Sequence, residues 1–202
     1  MERGCYKMNS FTQIQKHVID KLQKGLSSDL TYHNVGHTLD VLKQSIFIAN
    51  AEGIDNEEDI LLLKLASLYH DVGFLNKYTG HEETSCEFAE KELAAFGLNK
   101  TQIDKICGMI RATKVPQNPR THLEEIICDA DLDYLGRPDF FTIGDGLFNE
   151  FMIQKIVSND RDWNLLQIRF LEQHHYFTKT SKKRRQRLKQ IHLEAVKEKV
   201  HS

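Results

Sequence analysis

Three short stretches carry side chains that could do chemistry together. Tyr32-His33-Asn34-Val35-Gly36-His37 places two histidines four residues apart, on one face if the segment is helical. His70-Asp71 closes the apolar run from Ile60 to Tyr69, and Cys128-Asp129-Ala130-Asp131-Leu132-Asp133 sets three carboxylates on alternate positions beside Ile126, Ile127 and Leu135. His37 and His70 offer two neutral imidazoles. With Asp71 and a carboxylate from the third stretch, read here as Asp131, they form a mixed nitrogen and oxygen set suited to Mn²⁺, Fe²⁺, Ni²⁺, Co²⁺ or Zn²⁺. A buried imidazole beside a buried carboxylate is costly unless the two are paired or share a cation. The plain alternative for His70-Asp71 is a mutual hydrogen bond at a helix end, and with ten histidines in 202 residues the dipeptide alone says little. On a helix, positions 129, 131 and 133 stand about 200° apart in succession. One or two of those carboxylates are therefore expected to face the core and the rest to be solvated.

The elements that must position these residues read as helices throughout. Ser10 with Gln13 precedes Ile14, Val18 and Leu22, a first helix that Gly25 can end. Val41, Leu42, Ile46, Ile48 and Ala49 recur at helical spacing and close near Gly53. Asp55 with Glu58 has capping-box spacing before Ile60 to Tyr69, a helix apolar enough to lie in the core. Thr79 with Glu82, Asn99 with Gln102, and Thr121 with Glu124 are three further cap signatures. A looser segment from Phe140 to Val157 precedes helices over Trp163 to Phe177 and Ser181 to Val200. With no strand alternation, repeat or linker, the expected fold class is all-α, one compact domain over residues 1–202 of about eight to ten helices. Its motif-bearing core lies at about 30–136 and its C-terminal helices at 140–202.

Composition narrows the function classes. Only 3 Pro and 11 Gly argue against a many-turned β sandwich. No apolar run approaches the roughly 18–20 residues of a membrane span, and Met1 to Ser10 lacks a secretory apolar block, so the cytoplasm is the expected compartment. Cys5, Cys86, Cys107 and Cys128 stand singly, which suits reduced packing residues. The net charge of −2 hides a basic run, because Lys179 to Lys189 holds seven Lys and Arg and no acid. The remainder carries 20 basic against 29 acidic residues, a balance that disfavours general nucleic-acid binding. The run itself is expected to be the solvated face of the last helix, with RNA or an anionic surface as the alternative.

In their order along the chain, Tyr32-His33-Asn34-x-x-His37, His70-Asp71-x-Gly73 and Asp129-Ala130-Asp131-Leu132 resemble the HD-domain superfamily of metal-dependent phosphohydrolases. The resemblance spans about residues 30 to 136. It implies an all-helical fold, a divalent metal (Mn, Mg, Fe, Ni, Co or Zn), and His37, His70, Asp71 and Asp131 as its ligands. Asp129 competes for the last place; Asp131 is preferred because family members present that ligand as Ala-Asp before an apolar residue. The first stretch is also similar to a segment of cyclic-nucleotide phosphodiesterases, which implies His33 as a general acid. Asp71 or Asp129 is the expected proton acceptor, and Lys114 or Arg111 the positive charge for a phosphoryl group. The implied partner is a small phosphorylated substrate, a nucleotide or related metabolite; a homo-oligomer is compatible with the chain.

His81-Glu82-x-x-Ser85 is a pattern seen in small bacterial HD proteins, and its first helical turn could present N–H groups to a phosphate, or His81 could take a second metal. An exposed cap with a surface histidine is the competing view. Arg111 and Lys114, beside Thr113, could otherwise be ordinary helix C-terminal cations complementing the dipole. Trp163, Phe170 and Phe177, seven apart, are expected in a core stripe, and His174, His175 and His192 as surface or packing residues. Rival functions are a metal-bound nucleotide sensor without turnover and a di-iron oxygenase using His33 and His81 as extra ligands.

Overall fold

The computed structural model describes the backbone of residues 2–201 and the side chains of residues 11–200. Its described residues form nine α-helices and two 3-10 turns: α1 (Glu2–Gly25), α2 (Val35–Ala51), α3 (Glu57–Tyr69), a turn at Val72–Leu75, α4 (His81–Ala95), α5 (Lys100–Ala112), α6 (His122–Asp131), a turn at Asp133–Gly136, α7 (Phe140–Ile153), α8 (Asp160–Gln173) and α9 (Lys179–His201).

Helix α3 is the axis of the main core. Leu62, Leu63, Leu65, Ala66, Leu68 and Tyr69 are fully buried, so the helix is apolar around most of its circumference, with Lys64 at its partly exposed edge. It touches α1, α2, α4, α5 and α6, and it therefore delivers His70 and Asp71 into the interior. A second apolar cluster joins Leu135 and Phe140 to Leu171 of α8 and Leu193 and Val196 of α9.

Local signals hold where a polar side chain can reach its own helix. Asn99 and Gln102 form the reciprocal capping box of α5, and Thr121 accepts from Glu124 N–H at the start of α6. The start of α3 falls one residue later than expected, because Asn56 rather than Asp55 accepts from Glu58 and Asp59 N–H. Helix α4 begins at His81 after Gly80 in the left-handed region (φ 73°), with no side-chain cap from Thr79. Helix α1 starts well before Ser10. The segment expected to be loose, Phe140 to Val157, is mostly the regular helix α7. Its glycines are tolerated because neighbours come close: the Thr31 hydroxyl donates to Gly146 O at 2.6 Å, and a Cβ on Gly146 would stand 3.2 Å from Thr31 O.

The basic run divides between the expected solvated face and a structural seam: Lys179, Lys182, Lys183 and Arg187 are exposed, whereas Arg184 and Arg185 are partly buried and Lys189 is buried. Arg185 Nε and Nη2 each donate at 2.8 Å to the buried carboxylate of Asp133. Lys189, also buried, donates to Leu171 O at 3.0 Å and to His174 O, closing the C-terminus of α8. Arg184 lies over the Phe47 ring at 3.9 Å. His192 is a packing residue, stacked on Phe140 at 4.4 Å with Nδ1 donating to Leu135 O.

Candidate metal centre and adjoining cavity

Asn34 caps α2 by accepting from Gly36 N–H (2.8 Å) and His37 N–H (3.3 Å), which sets His37 in the first turn. His70 follows the last residue of α3, and Asp71 starts the 3-10 turn. Ser85 of α4 locks that turn: its hydroxyl donates to His70 O at 2.7 Å and accepts Gly73 N–H at 2.8 Å. Asp131 is the last residue of α6.

These four elements bring His37, His70, Asp71 and Asp131 together in the interior. The two imidazoles meet Nε2 to Nε2 at 3.3 Å. Asp71 Oδ2 lies 3.1 Å from His70 Nε2 and 3.4 Å from His37 Nε2, while Asp131 Oδ1 lies 3.1 Å from His37 Nε2 and 3.7 Å from His70 Nε2. His70 Nδ1 donates to Ser67 O at 2.9 Å, which leaves Nε2 as the lone-pair nitrogen of a neutral ring. Asp71 Oδ2 is buried and accepts no hydrogen bond although two ring nitrogens flank it. Lone pairs converging on one point are what a cation satisfies. His37, His70 and Asp131 each place a ligand atom within 4.8 Å of the others.

The electrostatics say the same. Burial works against a charged His37, but the carboxylates of Asp131 and Asp71 outweigh it and lift the ring to about 9. His70 is likewise raised against its burial, chiefly by Asp71. Burial would raise Asp131, yet His37 and His70 hold it at about 2, and Asp71 is lowered by the same neighbours. The cluster demands positive charge, and the donor set fits a divalent ion of the first transition row.

A cavity of about 570 Å³ adjoins the cluster. Asp71, Asp131, His33, His81 and Lys114 form part of its wall, and the turn at Asp133–Gly136, α7 and α8 supply much of the rest. Phe74 is stacked between the rings of His33 (4.3 Å) and His81 (3.9 Å). His81 Nδ1 donates to Tyr78 O at 3.0 Å, turning Nε2 toward Asp71 Oδ1 at 3.4 Å. His33 Nδ1 pairs with Glu150 Oε1.

Glu150 is the residue that sequence reading missed. It is fully buried on α7, and it accepts from the backbone N–H groups of Tyr32 (3.0 Å) and His33 (3.1 Å), from the His33 ring and from the Tyr78 hydroxyl (2.8 Å). A lone Glu at the end of the stretch read as loose carried no spacing signal.

Three expected site residues lie elsewhere. Asp129 is buried away from the cluster, with Oδ1 accepting Phe177 N–H and Oδ2 accepting the N–H and hydroxyl of Thr178, so both oxygens are spent on the entry to α9. Ser85 is enclosed behind the His70–Gly73 turn and does not reach the cavity. Arg111 is exposed and bound to Glu83 through Nε (2.7 Å) and Nη2 (3.0 Å), also outside the cavity wall. The expectation that some of Asp129, Asp131 and Asp133 are solvated also fails. All three point inward, because α6 ends at Asp131 and the tighter turn that follows re-aims Asp133 toward Arg185.

Helices alone, with paired His and Asp side chains closing over a buried cation-demanding point, define a class of metal-dependent hydrolase folds. The HD domain family matches residues 34–133, and the chain belongs to the HD-domain superfamily. The fold is similar to a crystal structure described as a predicted HD superfamily hydrolase from an uncultured Thermotogales bacterium, at 18% identity and a TM-score of 0.61, over 92% of this chain and 91% of that one. Among curated proteins, none matches the chain. Among the described residues, no helix is long and apolar enough to cross a membrane.

Proposed function

We propose that this protein is a metal-dependent phosphohydrolase that cleaves a phosphoester or phosphoanhydride of a small metabolite, the nucleotides expected from sequence among the candidates. The observation that carries the reading is the convergence of His37, His70, Asp71 and Asp131 on one buried point beside a cavity large enough for a small-molecule ligand. These four side chains hold the ion. A bound divalent ion supplies Lewis acidity toward a phosphoryl oxygen and acidifies water near it.

The chain's own groups do the remainder. Lys114 on the cavity wall sets a positive charge for the equatorial oxygens. Asp71, on the cavity wall, accepts the proton of the attacking water. His33, with its Nδ1 engaged by Glu150, protonates the leaving oxygen through Nε2. His81 supports a second reading of the same site, in which its Nε2 and Asp71 share a second ion.

Product release is measured across phosphate esters and anhydrides with added Mn²⁺, with metal content determined on the same samples. Asp71→Ala loses metal and turnover together, whereas His33→Ala keeps metal and loses rate. Equal metal loss in both variants overturns this division of roles.

A further inference from the structure

The wall of the cavity away from the metal cluster is mainly hydrocarbon. Phe140, Phe151, Trp163, Leu166 and Phe170 contribute to it, and Val115 and Ile156, 54% and 47% exposed, carry the apolar lining out to solvent. Among the described residues of the wall, Lys114 is the only Lys or Arg. That charge suits one phosphate group better than a di- or triphosphate.

A nucleoside would bring base and ribose groups that must be paired once they leave water. Several of the wall's polar groups are committed elsewhere. Thr113 donates to Ile110 O at 2.8 Å, and the Tyr78 hydroxyl donates to Glu150. Gln167 Nε2 donates to Asn164 Oδ1 at 3.4 Å. An alkyl or prenyl chain asks for none of these partners and gains from every apolar contact.

We propose, resting on the phosphohydrolase reading, that the substrate is the monophosphate ester of a hydrophobic alcohol. Its phosphate meets the metal cluster and Lys114, and its hydrocarbon fills the chamber between the turn at Asp133–Gly136, α7 and α8. Hydrolysis breaks the phosphorus–oxygen bond to the alcohol. Water supplies hydroxyl to phosphorus and a proton reaches the departing oxygen, giving free alcohol and inorganic phosphate.

The test compares octyl phosphate, methyl phosphate and AMP with the Mn²⁺-loaded protein, reading phosphate release and the emission of Trp163, which is the single tryptophan of the chain and lines the chamber. Octyl phosphate is expected to exceed both others at least tenfold in kcat/KM and to shift Trp163 emission saturably, with no such shift from AMP. Phe151→Gln and Phe170→Gln each lower the octyl-to-methyl ratio about tenfold. AMP matching or exceeding octyl phosphate overturns the substrate class and leaves the hydrolase intact. A saturable Trp163 shift by octyl phosphate without turnover of any ester keeps the ligand class and overturns the hydrolase reading. Neither shift nor turnover overturns both.

Discussion

Glu150 Oε2 accepts the backbone N–H of His33 at 3.1 Å while Oε1 of the same carboxylate takes the ring Nδ1, so one side chain on α7 fixes both the main chain and the tautomer of a histidine 117 residues earlier. Such support from behind a working histidine commonly carries about 10–100-fold in activity. Glu150→Gln removes the charge and offers an amide where an acceptor is needed. Its turnover is expected to fall by that factor with metal content unchanged, measured as kcat beside metal analysis. Loss of metal in this variant would instead place Glu150 in the ion's own support.

Asp129 and Asp131, two residues apart, are expected to fail in different ways. Asp131→Ala removes an oxygen from the cluster and lowers bound metal at least tenfold, with only a small change in the melting temperature of the metal-stripped protein. Asp129→Ala leaves Phe177 N–H and the Thr178 donors buried without an acceptor, at about 1–3 kcal/mol for each orphaned group. Its urea midpoint should drop while the remaining folded protein still takes up metal. The reverse pattern would exchange the two assignments.

Gly73 sits where the turn carrying Asp71 crosses the start of α4. A Cβ there would stand 2.0 Å from His81 O, and the obstacle is backbone that cannot swing aside. Gly73→Ala is expected to cost about 1–3 kcal/mol or more by overpacking and to push His81 away from Asp71. Thermal unfolding reads the first effect and Mn²⁺ affinity the second. A stable variant with unchanged affinity would show that the turn yields more than its packing suggests.

His174 gives the stability a pH window. Burial, then the nearby charges of Lys189 and His175, push its ring down to about 3 from the usual 6.5. Because the folded value lies below the unfolded one, the unfolded chain binds the extra proton between these limits. The stabilisation is complete above pH 6.5 and is lost progressively as pH falls, at up to about 1.4 kcal/mol per pH unit. Urea midpoints at pH 7.5, 6.0 and 5.0 should decline in the wild type and decline less in His174→Gln. Parallel declines would assign the loss to other groups.

Much of this protein is legible in one dimension because the interactions concerned are local. The capping box joins Asn99 to Gln102 three positions on, the burial of Leu62, Leu63 and Leu65 to Tyr69 follows from a mostly apolar run, and the order of the His and Asp motifs is written along the chain. Where an interaction spans one helical turn, spacing narrows it to a residue or two, as the caps at Asn99 and Thr121 show and the shift from Asp55 to Asn56 limits.

The remainder was decided by tertiary structure. Helical geometry could not say which of Asp129, Asp131 and Asp133 turns inward, since α6 ends between them and each finds a different partner: the α9 entry, the histidine cluster and Arg185. Within the largely solvated basic run, Arg185 and Lys189 became a seam because Asp133 and the end of α8 supplied buried acceptors that no composition count contains. Glu150 meets Tyr32 and His33 only because α7 packs against that segment more than a hundred residues earlier, and the apolar chamber needs α7 and α8 on the same cavity wall. Side-chain types set which charges need partners, but only the three-dimensional path of the backbone determines which partners come within 3 Å.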